Sequence, residues 1–197
     1  MITGTVARKT KETDIRLELA PGGSGLTEIH TPVGFLDHML DTIARHARLA
    51  LRVAATGDTH IDFHHTVEDV GLAFGEALEA SLGDKRGIRR FGHAYVPLDE
   101  SLARAVVDLS GRPFFAWDVP FDREMLLVTP EFPFALVEEF FKSVSYRGRF
   151  NLHIALLSGR NGHHAAEAIT KAFAVALREA IAPSGDTGIA STKGTLS

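Results

Sequence analysis

Apolar and polar positions alternate in short runs, then change to helical spacing, and the chain does this twice. Thr3 to Lys11 and Asp14 to Glu18 read as short strands, followed by a turn signal at Pro21-Gly22-Gly23-Ser24-Gly25. After Gly34, apolar residues at Leu36, Leu40, Ile43 and Ala47 predict a helix from Leu36 to Ala47. Leu49 to Ala55 alternates again and Gly57-Asp58 turns the chain. From about His65 to Leu82 the spacing is helical once more, through Val67, Val70, Leu72, Phe74, Ala77 and Leu78. The second half repeats the order. His93 to Pro97, Leu102 to Asp108 and Phe114 to Val119 read as strands, and Phe134 to Val144 as a helix. Phe150 to Leu157 reads as a strand, Ser158 to Gly162 as a loop, and His163 to Ile181 as a helix that stops near Pro183.

The halves match residue by residue. At an offset of 99, His64, His65, Glu68, Phe74, Ala77 and Leu78 fall on His163, His164, Glu167, Phe173, Ala176 and Leu177. Leu36-Asp37-His38-Met39-Leu40 corresponds to Val137-Glu138-Glu139-Phe140-Phe141. Identities in register within a common order of elements indicate duplication. The expected fold is α+β: two tandem repeats of a sheet plus two helices, residues 1–92 and 93–197, with the helices packed on one face of each sheet. Such a sheet leaves a bare face, which invites packing between halves and between copies of the chain.

The repeated motif, His-His-x-x-Glu at a helix start, carries the chemistry. Residues four apart share a helix face, so His64 points with Glu68 and His163 with Glu167. His65 and His164 are turned by about 100°. One ion cannot easily take both histidines and the glutamate. Two ions fit better, each drawing a His–Glu pair from one half and a single histidine from the other, with His38 and Glu139 completing two sets of four. Both glutamates are also expected in a first helical turn, where the dipole favours anions.

Composition narrows the metal and the setting. There are ten histidines against two tyrosines and one tryptophan, and no cysteine. Any site is therefore built from imidazole and carboxylate, which suits manganese, iron or zinc. A net charge of −4 gives no basic footprint for nucleic acid. No apolar run reaches the roughly 18 residues of a membrane helix, and Met1-Ile2-Thr3-Gly4 opens without a secretory hydrophobic region. The expected location is the cytoplasm. On these residues alone, a two-metal hydrolase or a histidine-rich metal carrier stays open beside other two-metal chemistry.

Four segments narrow it further. His30-Thr31-Pro32-Val33-Gly34-Phe35-Leu36-Asp37-His38-Met39-Leu40, Asp62-Phe63-His64-His65-Thr66-Val67-Glu68-Asp69, Asn161-Gly162-His163-His164-Ala165-Ala166-Glu167-Ala168 and Ser191-Thr192-Lys193-Gly194 resemble the imidazoleglycerol-phosphate dehydratase family of histidine biosynthesis. The resemblance spans essentially the whole chain. It implies a lyase that dehydrates imidazole glycerol phosphate to imidazole acetol phosphate with two manganese ions. His38, His65, His163 and Glu167 would hold one ion, and His64, Glu68, His164 and Glu139 the other. The family usually has histidine where this chain has Glu139, a position for which Glu138 would compete. The resemblance also implies a homo-oligomer of 24 subunits with octahedral symmetry and active sites between subunits.

The chemistry asks for an electron sink, since the C–H to be broken is not acidic by ordinary standards. An imidazole bridging two ions as imidazolate would supply one, with the ions acting as Lewis acids and template. An acid must protonate the leaving hydroxyl and a base must take the C–H proton. Glu12 matches a family glutamate that contacts substrate and is the candidate for proton transfer. Lys171 lies on nearly the same helix face as Glu167, and His46 matches a substrate-lining region. Arg90, Arg112, Ser191 and Lys193 match the family's phosphate cluster. The tail, residues 185–197, is expected to be flexible and to order on phosphate. His153 reads as structural, and His30, His60 and His93 lack a metal partner.

Overall fold

The computed structural model describes residues 2–23, 26–120 and 125–196. Ser24 and Gly25 of the expected turn lie outside them. In chain order the elements are β1 (Gly4–Lys9), β2 (Thr13–Pro21), β3 (Thr27–His30), α1 (Gly34–Ala47), β4 (Leu49–Gly57) and α2 (His64–Leu82). They continue with β5 (Phe91–Leu98), β6 (Ser101–Asp108), β7 (Phe114–Asp118), β8 (Leu127–Thr129), β9 (Phe132–Pro133), α3 (Ala135–Arg147), β10 (Asn151–Ser158) and α4 (Gly162–Ile181).

Each half builds a four-stranded sheet, ordered β1-β2-β4-β3 and β5-β6-β10-β7. The pairings match as well. The third strand of each half, β3 or β7, runs parallel to β4 or β10, and the other pairs are antiparallel. The duplication read from the sequence is therefore a duplication of topology. The small β8–β9 ribbon occurs only in the second half among the described residues.

Period-two alternation places one face of each sheet in the core. Ile15, Leu17 and Leu19 of β2 and Leu49, Leu51 and Val53 of β4 are buried, and so are Ala103, Ala105 and Val107 of β6. The helices lie on these inner faces, α2 against β1 and β2, and α4 against β5 and β6. The halves meet helix to helix, α1 with α4 and α2 with α3. Glycines allow the closest approaches. A Cβ on Gly4 would come within 1.9 Å of the Ala77 carbonyl oxygen, and one on Gly92 within 2.0 Å of that of Ala176. Ala77 and Ala176 are again 99 apart. No helix among the described residues is long and apolar enough to cross a membrane.

Two elements differ from the sequence reading. β3 was not expected, because Thr-Glu-Ile-His shows only a weak alternation and forms by pairing with β4. β1 stops at Lys9, and residues 10–12 form the hairpin turn, closed by the Thr10 N–H donating to Thr13 O at 2.9 Å.

Candidate metal centre

Both His-His-x-x-Glu motifs are held by a side-chain acceptor two residues upstream. Asp62 Oδ1 accepts the backbone N–H of His64 at 2.7 Å. Asn161 Oδ1 accepts those of His163 at 2.8 Å and His164 at 3.2 Å. The first N–H groups of a helix lack intrahelical partners, and Asp or Asn supplies one. These acceptors are also 99 apart; Asn161 is the N-cap of α4, and Asp62 precedes the α2 N-cap, Phe63.

Packing of α1 on α4 then gathers ligands from both halves. His38 Nε2 lies 2.8 Å from Glu167 Oε1, and His163 Nε2 lies 3.0 Å from the same oxygen. The two imidazoles stack at 6.1 Å and 24°. Phe35 packs against both rings and against Phe132, giving the cluster an apolar flank. His38, His163 and Glu167 form the one group of three or more His and acidic residues among those described whose ligand atoms lie within 4.8 Å of one another. Lys171 Nζ sits 2.5 Å from the other Glu167 oxygen. Burial alone would raise the Glu167 carboxyl, but Lys171 and His38 outweigh it and hold it at about 2. The group is a carboxylate, paired with Lys171, His38 and His163.

The other expected ligands are not gathered with these three. His65, placed with the first set by the resemblance, turns away: its Nδ1 lies 3.0 Å from Asp58 Oδ2 and 3.9 Å from Glu12 Oε2. His164 Nδ1 lies 2.7 Å from Glu100 Oε2. Both histidines are held above their usual range, chiefly by these carboxylate hydrogen bonds. The second set, His64, Glu68, His164 and Glu139, does not converge within the chain. Glu139 stands on α3 with Lys142 Nζ at 3.3 Å from its carboxylate. α2 and α3 nonetheless pack as α4 and α1 do. A Cβ on Gly71 would meet the Phe140 carbonyl oxygen at 2.9 Å and one on Gly75 that of Val144 at 2.4 Å. The helices thus run in parallel register, with Glu68 just before Gly71 and Glu139 just before Phe140.

His46 lies two turns beyond His38 on α1. Its pKa is lowered, first by burial and then by the charges of Lys171 and Arg178 on α4, which favours the neutral imidazole. Glu12 stands in the β1–β2 turn. That hairpin is pinned to α2, with Thr13 Oγ1 donating to Asp69 Oδ2 at 2.5 Å and Arg8 Nε to Asp69 Oδ1 at 2.9 Å.

The expected phosphate residues gather at the opposite end of α4. The Arg90 N–H donates to Ala180 O at 2.9 Å. Its guanidinium forks onto Asp108 at 2.7 and 3.1 Å and donates to Ala190 O in the tail at 2.7 Å. Ser191 Oγ accepts the Lys193 N–H at 3.2 Å. Arg112 follows on the exposed turn after β6, and its carbonyl accepts from Ser110 Oγ at 3.3 Å. At 1.5 Å rise per residue, Ala180 is about 25 Å along the helix from His163.

Sequence reasoning missed Asp58, Glu100 and Asp69. Asp58 read as half of a turn signal, and Glu100 sits in a two-residue hairpin turn. Their role depends on tertiary contact, so the sequence carried no signal beyond their charge.

A duplicated α+β fold with a histidine–carboxylate cluster where its two halves meet defines the class of protein. Residues 31–177 match the family model described as imidazoleglycerol-phosphate dehydratase. The chain is 52% identical over 194 residues to the imidazoleglycerol-phosphate dehydratase of Granulibacter bethesdensis, covering 98% of this chain and 97% of the relative. It is 48% identical over 194 residues to that of Pelotomaculum thermopropionicum, covering 98% of each. The crystal structure of imidazoleglycerol-phosphate dehydratase from Staphylococcus aureus superposes with a TM-score of 0.82 at 37% identity, covering 93% of this chain and all of that one. The protein belongs to the imidazoleglycerol-phosphate dehydratase family.

Proposed function

We propose that the protein is a cytoplasmic hydro-lyase of histidine biosynthesis that dehydrates imidazole glycerol phosphate to imidazole acetol phosphate, using two manganese ions per active site. The observation that carries the metal reading is the His38–His163–Glu167 cluster. Its three donors come from both halves, contain no sulfur, lie within the span of one ion and include a carboxylate held ionised. His65 would complete this set. His64, Glu68, Glu139 and His164 would hold the second ion, Glu139 replacing the family's usual histidine. Bound manganese would supply Lewis acidity toward the substrate's imidazole.

The chain's own groups do the rest. Lys171 neutralises Glu167 and sits where it can steady a developing charge. Glu12, on a hairpin that Arg8 and Thr13 pin to Asp69 and with its own side chain exposed, exchanges the proton at the reacting carbon, with His46 lining the substrate path. Arg90, Arg112, Ser191 and Lys193 receive the phosphate, a task to which the guanidinium fork is suited.

The separation of about 25 Å along α4 supports an active site built between copies. A three-carbon phosphate ester on an imidazole cannot reach from the His163 end of the helix to the Arg90 end. His65 and His164, turned from the cluster in their own chain, are free to complete sites on neighbours. A closed homo-oligomer, the octahedral 24-mer that the resemblance implies, supplies such neighbours. The test is turnover of imidazole glycerol phosphate by the manganese-loaded protein. Formation of the ketone supports the reading, and its absence in protein that holds manganese overturns it.

A further inference from the structure

The second histidine of each pair meets a carboxylate through Nδ1. Asp58 Oδ2 stands 3.0 Å from His65 Nδ1, and Glu100 Oε2 stands 2.7 Å from His164 Nδ1. The two acids come from different places, Asp58 from the loop after β4 and Glu100 from the β5–β6 hairpin turn. They are not copies of one residue carried along by the duplication, yet both meet the same ring nitrogen of the imidazole.

Each acid is itself held. The Asp58 N–H donates to the Glu12 carbonyl at 3.1 Å. The Asp58 side chain is mostly buried, and its Oδ1 is enclosed without a hydrogen-bond partner among the described residues. Glu100 Oε1 accepts the N–H groups of Arg160 at 3.2 Å and Asn161 at 2.9 Å, which leaves Oε2 for His164. A carboxylate at Nδ1 keeps the N–H on that nitrogen and presents Nε2 as a lone pair. It also makes the imidazole a more basic ligand.

We infer that Asp58 and Glu100 are positioning residues that fix His65 and His164 as Nε2 ligands, and that Asp58 thereby releases Glu12 for the reaction. The second clause follows from the repeat. In the second half the hairpin acid, Glu100, orients the histidine. In the first half the hairpin acid is Glu12, but Asp58 has taken its place, and Glu12 Oε2 stands at 3.9 Å, beyond hydrogen-bond range. The duplication is thus broken at the point where one half must keep a carboxylate uncommitted.

The inference rests on the metal reading above and is tested by manganese binding rather than turnover. Manganese alone is titrated into the full-length protein by calorimetry, with thermal melts of the metal-free variants as a check on folding. Wild type is expected to bind two ions per chain. Asp58→Asn and Glu100→Gln are each expected to weaken one ion by about 10- to 100-fold, leaving the other unchanged. On a His65→Asn background, Asp58→Asn should add no further loss, whereas on His164→Asn it should add its full effect. Glu100→Gln, at a half-exposed turn, tests the same idea if Asp58→Asn fails to fold. Wild-type affinity in the folded variants, with two ions bound to wild type, overturns the inference alone. A wild type that binds no manganese overturns the metal reading and the inference with it.

Discussion

His38 Nε2 and Glu167 Oε1 meet at 2.8 Å although 129 residues separate them. One belongs to the second turn of the first repeat's leading helix and the other to the closing helix of the second, so the contact joins the halves at their helical seam. Glu167→Gln keeps the shape of the side chain and removes its charge. It should cut manganese from two ions to one per chain and lower turnover by at least about 100-fold, since a bound ion contributes several kcal/mol of charge stabilisation. Elemental analysis and steady-state rates check this. Two ions retained would contradict it.

Lys171 sets the state of that carboxylate. The folded-state pKa of Glu167 is about 2, below its ordinary value of 4.5. Ionised Glu167 therefore stabilises the metal-free fold above about pH 4.5, and the contribution is lost as pH falls toward 2. Lys171→Met removes the strongest lowering influence, so the carboxyl should titrate at a higher pH. Carbon-13 NMR of the metal-free protein reads the shift directly. No upward movement would show that Lys171 does not govern Glu167.

Arg90 has a structural duty beside the one proposed for it at the phosphate. Its fork on Asp108 and its bond to Ala190 fix the start of the tail that carries Ser191 and Lys193. Arg90→Lys keeps the charge but cannot make the two-pronged contact. The expected result is a KM raised by about 10- to 100-fold, the worth of one hydrogen bond to a charged group, with two manganese ions still bound. A change in metal content would instead place Arg90 in the metal centre.

The glycines at the sheet–helix contacts predict stability rather than activity. Gly4→Ala and Gly92→Ala each put a methyl group against a helix carbonyl. Each should cost about 1–3 kcal/mol through overpacking, seen as a lower thermal midpoint. Equal losses at the two positions would reflect the duplicated packing.

The sequence revealed the repeat, the helices and the motif because these rest on local spacing. Its 99-residue offset reappears in the side-chain acceptors Asp62 and Asn161 and in the helix carbonyls of Ala77 and Ala176. What it could not reveal depends on contact between distant segments. β3 forms only against β4, and Asp58 and Glu100 gain a role only where a turn meets a histidine. Helical phase separates His65 from His64. Nothing in the sequence said that His65 would turn to Asp58 and away from the His38 cluster of its own chain.

Co-expression of two inactive variants tests most directly the central claim, that active sites are assembled between copies. One variant, Glu167→Gln, removes the carboxylate of the proposed metal cluster, and the other, Arg112→Ala, removes an arginine of the proposed phosphate end. If a site takes its cluster from one chain and its phosphate residues from another, mixed particles contain some sites with both parts intact. At equal mixing about a quarter of sites would then be whole, and activity should recover to about that fraction. Recovery no greater than the sum of the two variants assembled separately would contradict the account.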